Sequence, residues 1–170
     1  MKSPVKKTLR RIKQSVVAQQ WIALGKDQPG FHIGFFQEKG RGIVTDTERD
    51  KGTFLLEYSG EKITADEGER REQSQPSVFR YFYKYHGQSW CIDATEENNA
   101  MGRLVNHGEK KERNCRMKVV SKGPDSSLAL FSTRDISIGE ELLYDYGIDE
   151  LPWKTKKNKS PVDQSSYLQE

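Results

Sequence analysis

Near the N-terminus of the chain, apolar residues recur at three- and four-residue steps. Between Thr8 and Leu24 the recurring apolar positions are Leu9, Ile12, Val16, Val17, Trp21 and Leu24. This spacing places apolar side chains along one face of a helix, and a glycine such as Gly25 commonly ends one. The pattern therefore predicts an amphipathic helix that ends near Gly25, preceded by a flexible basic arm over residues 1–7.

After Pro29-Gly30, the apolar positions fall in short runs that are typical of strands. The runs that we interpret as strands cover residues 32–36, 43–45, 54–58, 81–92 with a break at Gly87, 117–120 and 128–132. Many short strands with few helices predict a mainly β, α+β domain built from small curled sheets.

Two shorter helices are predicted between these strands. Thr64-Ala65-Asp66-Glu67 forms a capping box, in which the threonine side chain accepts a hydrogen bond at the start of a helix, and Pro76 closes that helix. A second short helix is expected from Thr95 to about Val105. Beyond Trp153 the chain is rich in Lys, Ser and Gln, which predicts a disordered tail over residues 154–170 and one domain over residues 8–153.

Composition narrows the classes of function. The 28 basic and 25 acidic residues leave a net charge of only +3, which does not demand a nucleic-acid partner. Two cysteines make neither a disulfide framework nor a four-cysteine zinc site, so we expect a reducing compartment. No signal peptide or membrane-spanning run is recognisable, and we expect an intracellular protein with no membrane partner. Residues 80–85 (RYFYKY) interleave basic and aromatic side chains, which fits either a nucleic-acid stacking strand or a half-buried strand.

Lys39-Gly40-Arg41-Gly42 lies between two predicted strands. No helix follows the glycines, so a phosphate-binding loop is not indicated. Two interpretations remain open for this segment, which we call the glycine turn. It is a β-turn that needs positive φ, or it is backbone that lets a ligand approach closely.

Asn106-His107 follows Arg103 near the end of the predicted second helix. A histidine here is either a turn or core residue or part of a site. No neighbouring residue completes a metal site or a nucleophile–base pair, so we assign no metal. Further along, Tyr144 and Tyr146 are two residues apart in an extended segment and point to the same side. They are either paired core aromatics or the walls of a narrow slot that aims two hydroxyls inward.

Taken together, these segments resemble the SET domain of protein lysine methyltransferases. The matching motifs, in the order of that family, are Gly40-Arg41-Gly42, Tyr58-Ser59-Gly60, Arg103-Leu104-Val105-Asn106-His107 and Glu141-Leu142-Leu143-Tyr144-Asp145-Tyr146. Within the family, residues 90–95, 101–104 and 140–147 look most like the monomethyltransferases of lysine 20 of histone H4. The resemblance covers about residues 9–153.

The resemblance implies a SET-domain fold with a C-terminal pseudoknot, in which the C-terminal segment is threaded beneath a loop. It also implies S-adenosyl-L-methionine as methyl donor, with no metal. The residues that it assigns to cofactor binding are Lys39, Gly40, Arg41, Phe79, Asn106, His107 and Trp153. It assigns Tyr58, Tyr144 and Tyr146 to the lysine channel, with Tyr146 at the methyl-transfer end.

The substrate implied by the resemblance is a histone tail, most specifically lysine 20 of histone H4 on the nucleosome. That substrate implies a chromatin regulator in the nucleus, acting on chromosomes and on transcription, and we expect the chain to be a monomer. Carboxylates that could dock the arginines of a basic tail are Glu61, Glu96, Glu97, Asp149 and Glu150. Two alternatives stay open: a methyltransferase that acts on other, non-histone basic proteins, and an inactive SET-like module that binds chromatin.

Overall fold

The structure, a computed structural model, describes residues 4–146, with side chains described from residue 13 onward. The described residues form two α-helices, ten strands and one 3-10 helix over Gly102–Leu104. In chain order the elements are α1 (Pro4–Leu24), β1 (Phe31–Phe36), β2 (Gly40–Thr45), β3 (Phe54–Glu57), β4 (Glu61–Thr64), α2 (Ala65–Ser74), β5 (Arg80–Tyr85), β6 (Gln88–Asp93), β7 (Asn106–His107), β8 (Cys115–Lys122), β9 (Asp125–Ser132) and β10 (Leu143–Tyr144).

The described strands are divided among four small sheets, which confirms the predicted β-rich architecture. β1 pairs with β2, β9 lies between β3 and β8, and β6 lies between β4 and β5, all antiparallel. β7 and β10 form a parallel pair of two residues each. No sheet has more than three described strands, so the core is shared among several small clusters rather than held by one large sheet.

Helix α1 packs across the sheet of β3, β9 and β8. Ala18 and Ile22 are buried there, with Val17 and Trp21 partly buried beside them. The predicted end near Gly25 is confirmed, since α1 ends at Leu24 and Gly25 adopts a φ of +64°. Two details differ. The helix begins at Pro4, four residues before Thr8, and its buried face leaves out Val16 and Leu24, which are 45% and 63% exposed.

Helix α2 begins where the capping box predicts. The Thr64 hydroxyl accepts a hydrogen bond from the backbone N–H of Glu67 at 3.2 Å. The helix ends at Ser74, two residues before Pro76. The alternating run over residues 81–92 forms β5 and β6 with a turn at His86-Gly87, as predicted.

The predicted second helix between Thr95 and Val105 is wrong except for the single 3-10 turn over Gly102–Leu104. Side chains capture the backbone N–H groups that a helix would use. Asp93 accepts from the Thr95 N–H at 3.1 Å, and Asn98 accepts from the Ala100 N–H at 3.1 Å. Such local side-chain bonds compete with helix formation, and the positive φ of Asn99 breaks it outright.

The C-terminal described segment, residues 141–146, runs between β2 and β7. On one side the Leu142 N–H donates to the Ile43 carbonyl at 2.8 Å, and on the other β10 pairs with β7. The buried Asn114 side chain holds this segment, because its amide donates to the Glu141 carbonyl at 2.8 Å and its oxygen accepts from the Leu143 N–H at 2.9 Å. The segment is thereby held between β2 and β7 and fixed by a buried side chain, while the threading expected of a pseudoknot stays a prediction.

Candidate functional site

Four tyrosines from three different parts of the chain meet at one place. Tyr58 follows β3, Tyr81 lies in β5, Tyr144 ends β10 and Tyr146 follows it. The ring centroids are 6.1 Å apart for Tyr58 and Tyr81, 6.5 Å for Tyr81 and Tyr144, and 4.9 Å for Tyr144 and Tyr146. We call these four residues the tyrosine cluster. It joins two of the hydrophobic cores, since Tyr81 packs against both.

Burial sets the ionisation of these phenols. Tyr58 and Tyr144 are only 2% and 1% exposed. Loss of solvation raises the pKa of each phenol well above its ordinary value, and neighbouring tyrosines add to that rise. Loss of solvation also raises the pKa of Tyr146 to about 12. All three therefore stay protonated at neutral pH, where they act as hydrogen-bonding hydroxyls and not as bases.

Tyr146 is fixed against the Asn106-His107 strand. Its backbone N–H donates to His107 Nδ1 at 3.3 Å, and its hydroxyl donates to the Val105 carbonyl at 3.5 Å. The two rings lie side by side with centroids 5.4 Å apart. This explains how β7, only two residues long, orients the tyrosine nearest to it.

The glycine turn lies against the same strand. Gly40 adopts a φ of +76°, so the expectation of a turn with positive φ is confirmed at that residue. The Asn106 amide reaches back and donates to the Arg41 carbonyl and to Glu141 Oε1, both at 2.9 Å. Lys39 Nζ lies 2.9 Å from Glu141 Oε2. The side chain of Asn106 thus links the glycine turn to Glu141.

Phe79 and Arg41 are linked through the buried side chain of Arg103 and through Glu97. The Arg103 guanidinium, whose side chain is 2% exposed, stacks 4.0 Å above the centre of the Phe79 ring. It donates to the carbonyls of Ala94 and Thr95 at 2.7 and 3.0 Å. Glu97 pairs with both Arg103 and Arg41. Phe79 therefore supplies a stacking surface, and it has no hydroxyl to donate.

The comparisons with known proteins decide the family. The family model described as "SET domain" matches residues 40–147. The chain belongs to the SET-domain family.

Individual relatives agree with that membership. The chain is 35% identical over 167 residues to the N-lysine methyltransferase KMT5A-A of Xenopus laevis, which covers 88% of this chain and 49% of the relative. It is 34% identical over 155 residues to the histone-lysine N-methyltransferase Set8 of Drosophila melanogaster, covering 85% of this chain and 22% of the relative. A crystal structure of CpSET8 from Cryptosporidium is 33% identical, with a TM-score of 0.65, covering 79% of this chain and 65% of that one. The chain thus spans about half the length of the frog relative and less of the fly one.

The SET domain brings nearly all of the predicted site residues into one region. The three predicted channel residues belong to the tyrosine cluster, and Lys39, Gly40, Arg41, Asn106 and His107 adjoin it through Tyr146 and Glu141. Phe79 adjoins Arg41 through Arg103 and Glu97. Trp153 lies outside the described residues. These placements leave the individual roles of the residues as predictions.

Two members of this region were not assigned from the sequence. Tyr81 stands in the alternating run of β5, where its neighbours Tyr83 and Tyr85 offered equally good candidates. Glu141 belongs to a recognised motif, but nothing in the motif indicates which partners its carboxylate has. The burial of Tyr81 against two cores and the contacts of Glu141 depend on pairing across the fold.

Other chemistry receives little support from the described residues. Arg80, with a side chain 5% exposed, is paired with Glu72 and Asp93, and Tyr83 is buried, so residues 80–85 form a half-buried strand and not an open stacking surface. Cys91 and Cys115 are free and buried, and burial raises the pKa of each thiol to about 12. Over residues 4–146 we find neither a group of side chains that could hold a metal ion nor a helix suited to crossing a membrane.

Proposed function

We propose that this chain is a protein-lysine N-methyltransferase that transfers a methyl group from S-adenosylmethionine to a histone tail. The names of the frog and fly relatives, which match 88% and 85% of this chain, support lysine methylation. The observation that carries the proposal is the position of the tyrosine cluster. Its hydroxyl-bearing, water-poor interior adjoins the glycine turn and the Asn106-His107 strand, so that a lysine and a methyl donor could meet there.

The residues around the glycine turn suit S-adenosylmethionine, which carries a carboxylate, an ammonium and a sulfonium. Lys39 and Arg41 offer cationic side chains for the carboxylate, and aromatic rings such as Tyr146 favour cations nearby. Phe79 gives an apolar surface beside Arg41. When bound, the cofactor supplies an electrophilic methyl group, and the chemistry needs neither a metal nor a covalent enzyme intermediate. The proposed contacts to Trp153 fall on a residue that the structure does not describe.

The tyrosine cluster would favour the neutral, reactive form of the substrate lysine. A lysine of pKa about 10.4 must lose its proton before it can attack, which costs roughly 4 kcal/mol near neutral pH. A buried channel disfavours the ammonium by removing its solvation. Because burial keeps the phenols protonated, Tyr58 and Tyr144 would hold the neutral amine by hydrogen bonds and limit the space beside it. Tyr146, fixed by His107, would orient the amine for transfer.

We further propose lysine 20 of histone H4 as the target, with the nucleosome as partner and the nucleus as location. The ion pairs of the fold reduce the number of carboxylates that are free to dock a basic tail. Glu61 pairs with Arg71 and Glu97 with Arg41 and Arg103, whereas exposed Glu96 makes no ion pair with any side chain that the structure describes. Asp149 and Glu150 lie outside the described residues, and Glu96 is our first choice among the described carboxylates for contact with a basic tail.

A methylation assay tests this proposal. The chain is incubated with labelled S-adenosylmethionine and either recombinant nucleosomes or histone H4 tail peptides, and the modified lysine is located by mass spectrometry. We expect label on lysine 20 and none on a peptide in which that lysine is arginine. Label on other histone lysines would contradict the target, and absence of any transfer would favour one of the two alternatives, a non-histone substrate or an inactive chromatin-binding module.

A further inference from the structure

A buried carboxylate connects three of the SET-domain motifs. Glu141, whose side chain is 10% exposed, accepts from Lys39 Nζ with one oxygen and from the Asn106 amide with the other, each at 2.9 Å. Asn106 in turn donates to the Arg41 carbonyl. A single side chain from the C-terminal segment thus ties the glycine turn to β7.

The second glycine of the glycine turn leaves room for this carboxylate. A Cβ at position 42 would lie 2.5 Å from Glu141 Oε1 and 2.9 Å from both Asn106 Nδ2 and Phe36 Cε2. All three distances are below van der Waals contact, so the Glu141 carboxylate would have to move from its hydrogen-bonded position. Glycine at position 42 therefore leaves space for an internal carboxylate, which is a cause that neither interpretation of the motif included.

We propose that Glu141 is a positioning residue of the cofactor site, which holds Lys39 and Asn106 in the arrangement that binds S-adenosylmethionine. The inference rests on the proposed function, because it concerns the same cofactor. Glu141 acts through these two neighbours and contacts neither the methyl donor nor the lysine in this account.

The chemistry of the contact requires a carboxylate. Two donors, an ammonium and an amide, approach from different sides, and a carboxylate offers an acceptor oxygen to each. A glutamine of the same shape has one acceptor oxygen, so it must turn an N–H₂ group toward one of the donors. Loss of solvation chiefly raises the pKa of Tyr146, and the negative charge of Glu141 adds to that rise.

Calorimetric titration of the native chain, Glu141→Gln and Glu140→Gln tests the proposal. Glu140 is a matched control because it is the adjacent glutamate, paired with Arg134 on the surface. The ligands are S-adenosylmethionine and its product S-adenosylhomocysteine, and the KM for an H4 peptide is measured in parallel. We expect the Kd of both ligands to rise about tenfold in Glu141→Gln and to be unchanged in Glu140→Gln. The peptide KM should stay within about twofold of the native value.

A double-mutant cycle separates positioning from general stability. Lys39→Met removes the partner, which is partly exposed, and if Glu141 acts through Lys39 the double variant should bind little worse than Glu141→Gln alone. Gly42→Ala displaces the carboxylate without removing its charge, and it should weaken cofactor binding to a similar extent. If Glu141→Gln does not fold, Gly42→Ala still decides, because it keeps the charges of Lys39 and Glu141 and the proposal requires it to lose affinity.

The contradicting outcomes are distinct. Three outcomes would each overturn the role of Glu141. The first is a native-like Kd for both ligands in Glu141→Gln, and the second is a fully additive effect of Glu141→Gln and Lys39→Met. The third is a loss of peptide affinity that accompanies the loss of cofactor affinity and follows the fraction of unfolded protein. A native chain that binds neither ligand would instead contradict the proposed function itself.

Discussion

Glu57 makes the stability of this fold depend on pH in an unusual direction. It ends β3, next to Tyr58, and burial raises the pKa of its carboxyl from an ordinary 4.5 to about 7. The ammonium of Lys122 lowers that pKa but does not outweigh the loss of solvation. The carboxylate of Asp27 adds to the rise. Replacing Glu57 by glutamine keeps its shape and fixes it in a neutral state that resembles the protonated acid.

The sign of the effect follows from proton linkage. The folded chain binds the Glu57 proton more tightly than the unfolded chain does. This contribution to stability is therefore fully present below pH 4.5 and is lost as the pH rises through about 7. A shift of this size corresponds to about 3 kcal/mol at most. The side chain is only partly buried, so solvent screening reduces the expected contribution to about 1–2 kcal/mol.

Urea unfolding followed by tryptophan fluorescence measures this contribution. We expect Glu57→Gln to be more stable than the native chain by about 1–2 kcal/mol near pH 8, and the difference to fall to about zero only below pH 4.5. Glu48→Gln, at an exposed glutamate, is the matched control and should show no such dependence. A difference that is constant with pH, or one that grows on acidification, would refute the reasoning.

Three further predictions concern the site and the segment that carries it. Tyr146→Phe should lower the rate of methyl transfer at least about a hundredfold with cofactor Kd nearly unchanged, because the lost hydroxyl orients the amine; single-turnover assays and calorimetry check this. The native chain should add one methyl group, and Tyr144→Phe should increase the dimethylated product several-fold. The reason is that losing the hydroxyl opens space beside the amine and removes a hydrogen bond of about 1 kcal/mol, and mass spectrometry of an H4 peptide over time checks this. Asn114→Ala should destabilise the fold by about 2–4 kcal/mol in urea unfolding, because it leaves the Leu143 N–H and the Glu141 carbonyl without their buried partner.

The longer elements of the fold could be predicted because their patterns are local. The capping box at Thr64 specifies the start of α2, and the alternation over residues 81–92 specifies β5 and β6 to within one residue. β7 and β10 have two residues each, which is too short for any period to be recognised. Their pairing depends on the threading of the C-terminal segment. Between Thr95 and Met101, local side-chain bonds from Asp93 and Asn98 prevent the helix that we expected there.

Site residues could be predicted when their motif carries a rare combination of residues. Asn106-His107 and the tyrosines at 144 and 146 are such combinations, and the structure places both in one region. Tyr81 could not be chosen in the same way, because alternation along β5 gives Tyr81, Tyr83 and Tyr85 the same face. Only the packing of β5 against two cores distinguishes the first of them.

Glu141, which was not assigned to the site from the sequence, shows that the hydrogen-bond partners of a side chain are harder to predict than its place in the chain. The chain has 25 acidic residues, and most of them are expected to be solvated surface charges, so an acidic side chain alone carries little information. Glu141 combines a side chain only 10% exposed with partners from distant segments, Lys39 being 102 residues away in sequence. The structure gives one indirect sign of this contact. Gly42 has no positive φ that would call for glycine, yet a Cβ there would lie 2.5 Å from Glu141 Oε1, so other groups occupy the space of a side chain at that position. In this SET domain the nearest of those groups is the Glu141 carboxylate, which connects the glycine turn to the Asn106-His107 strand.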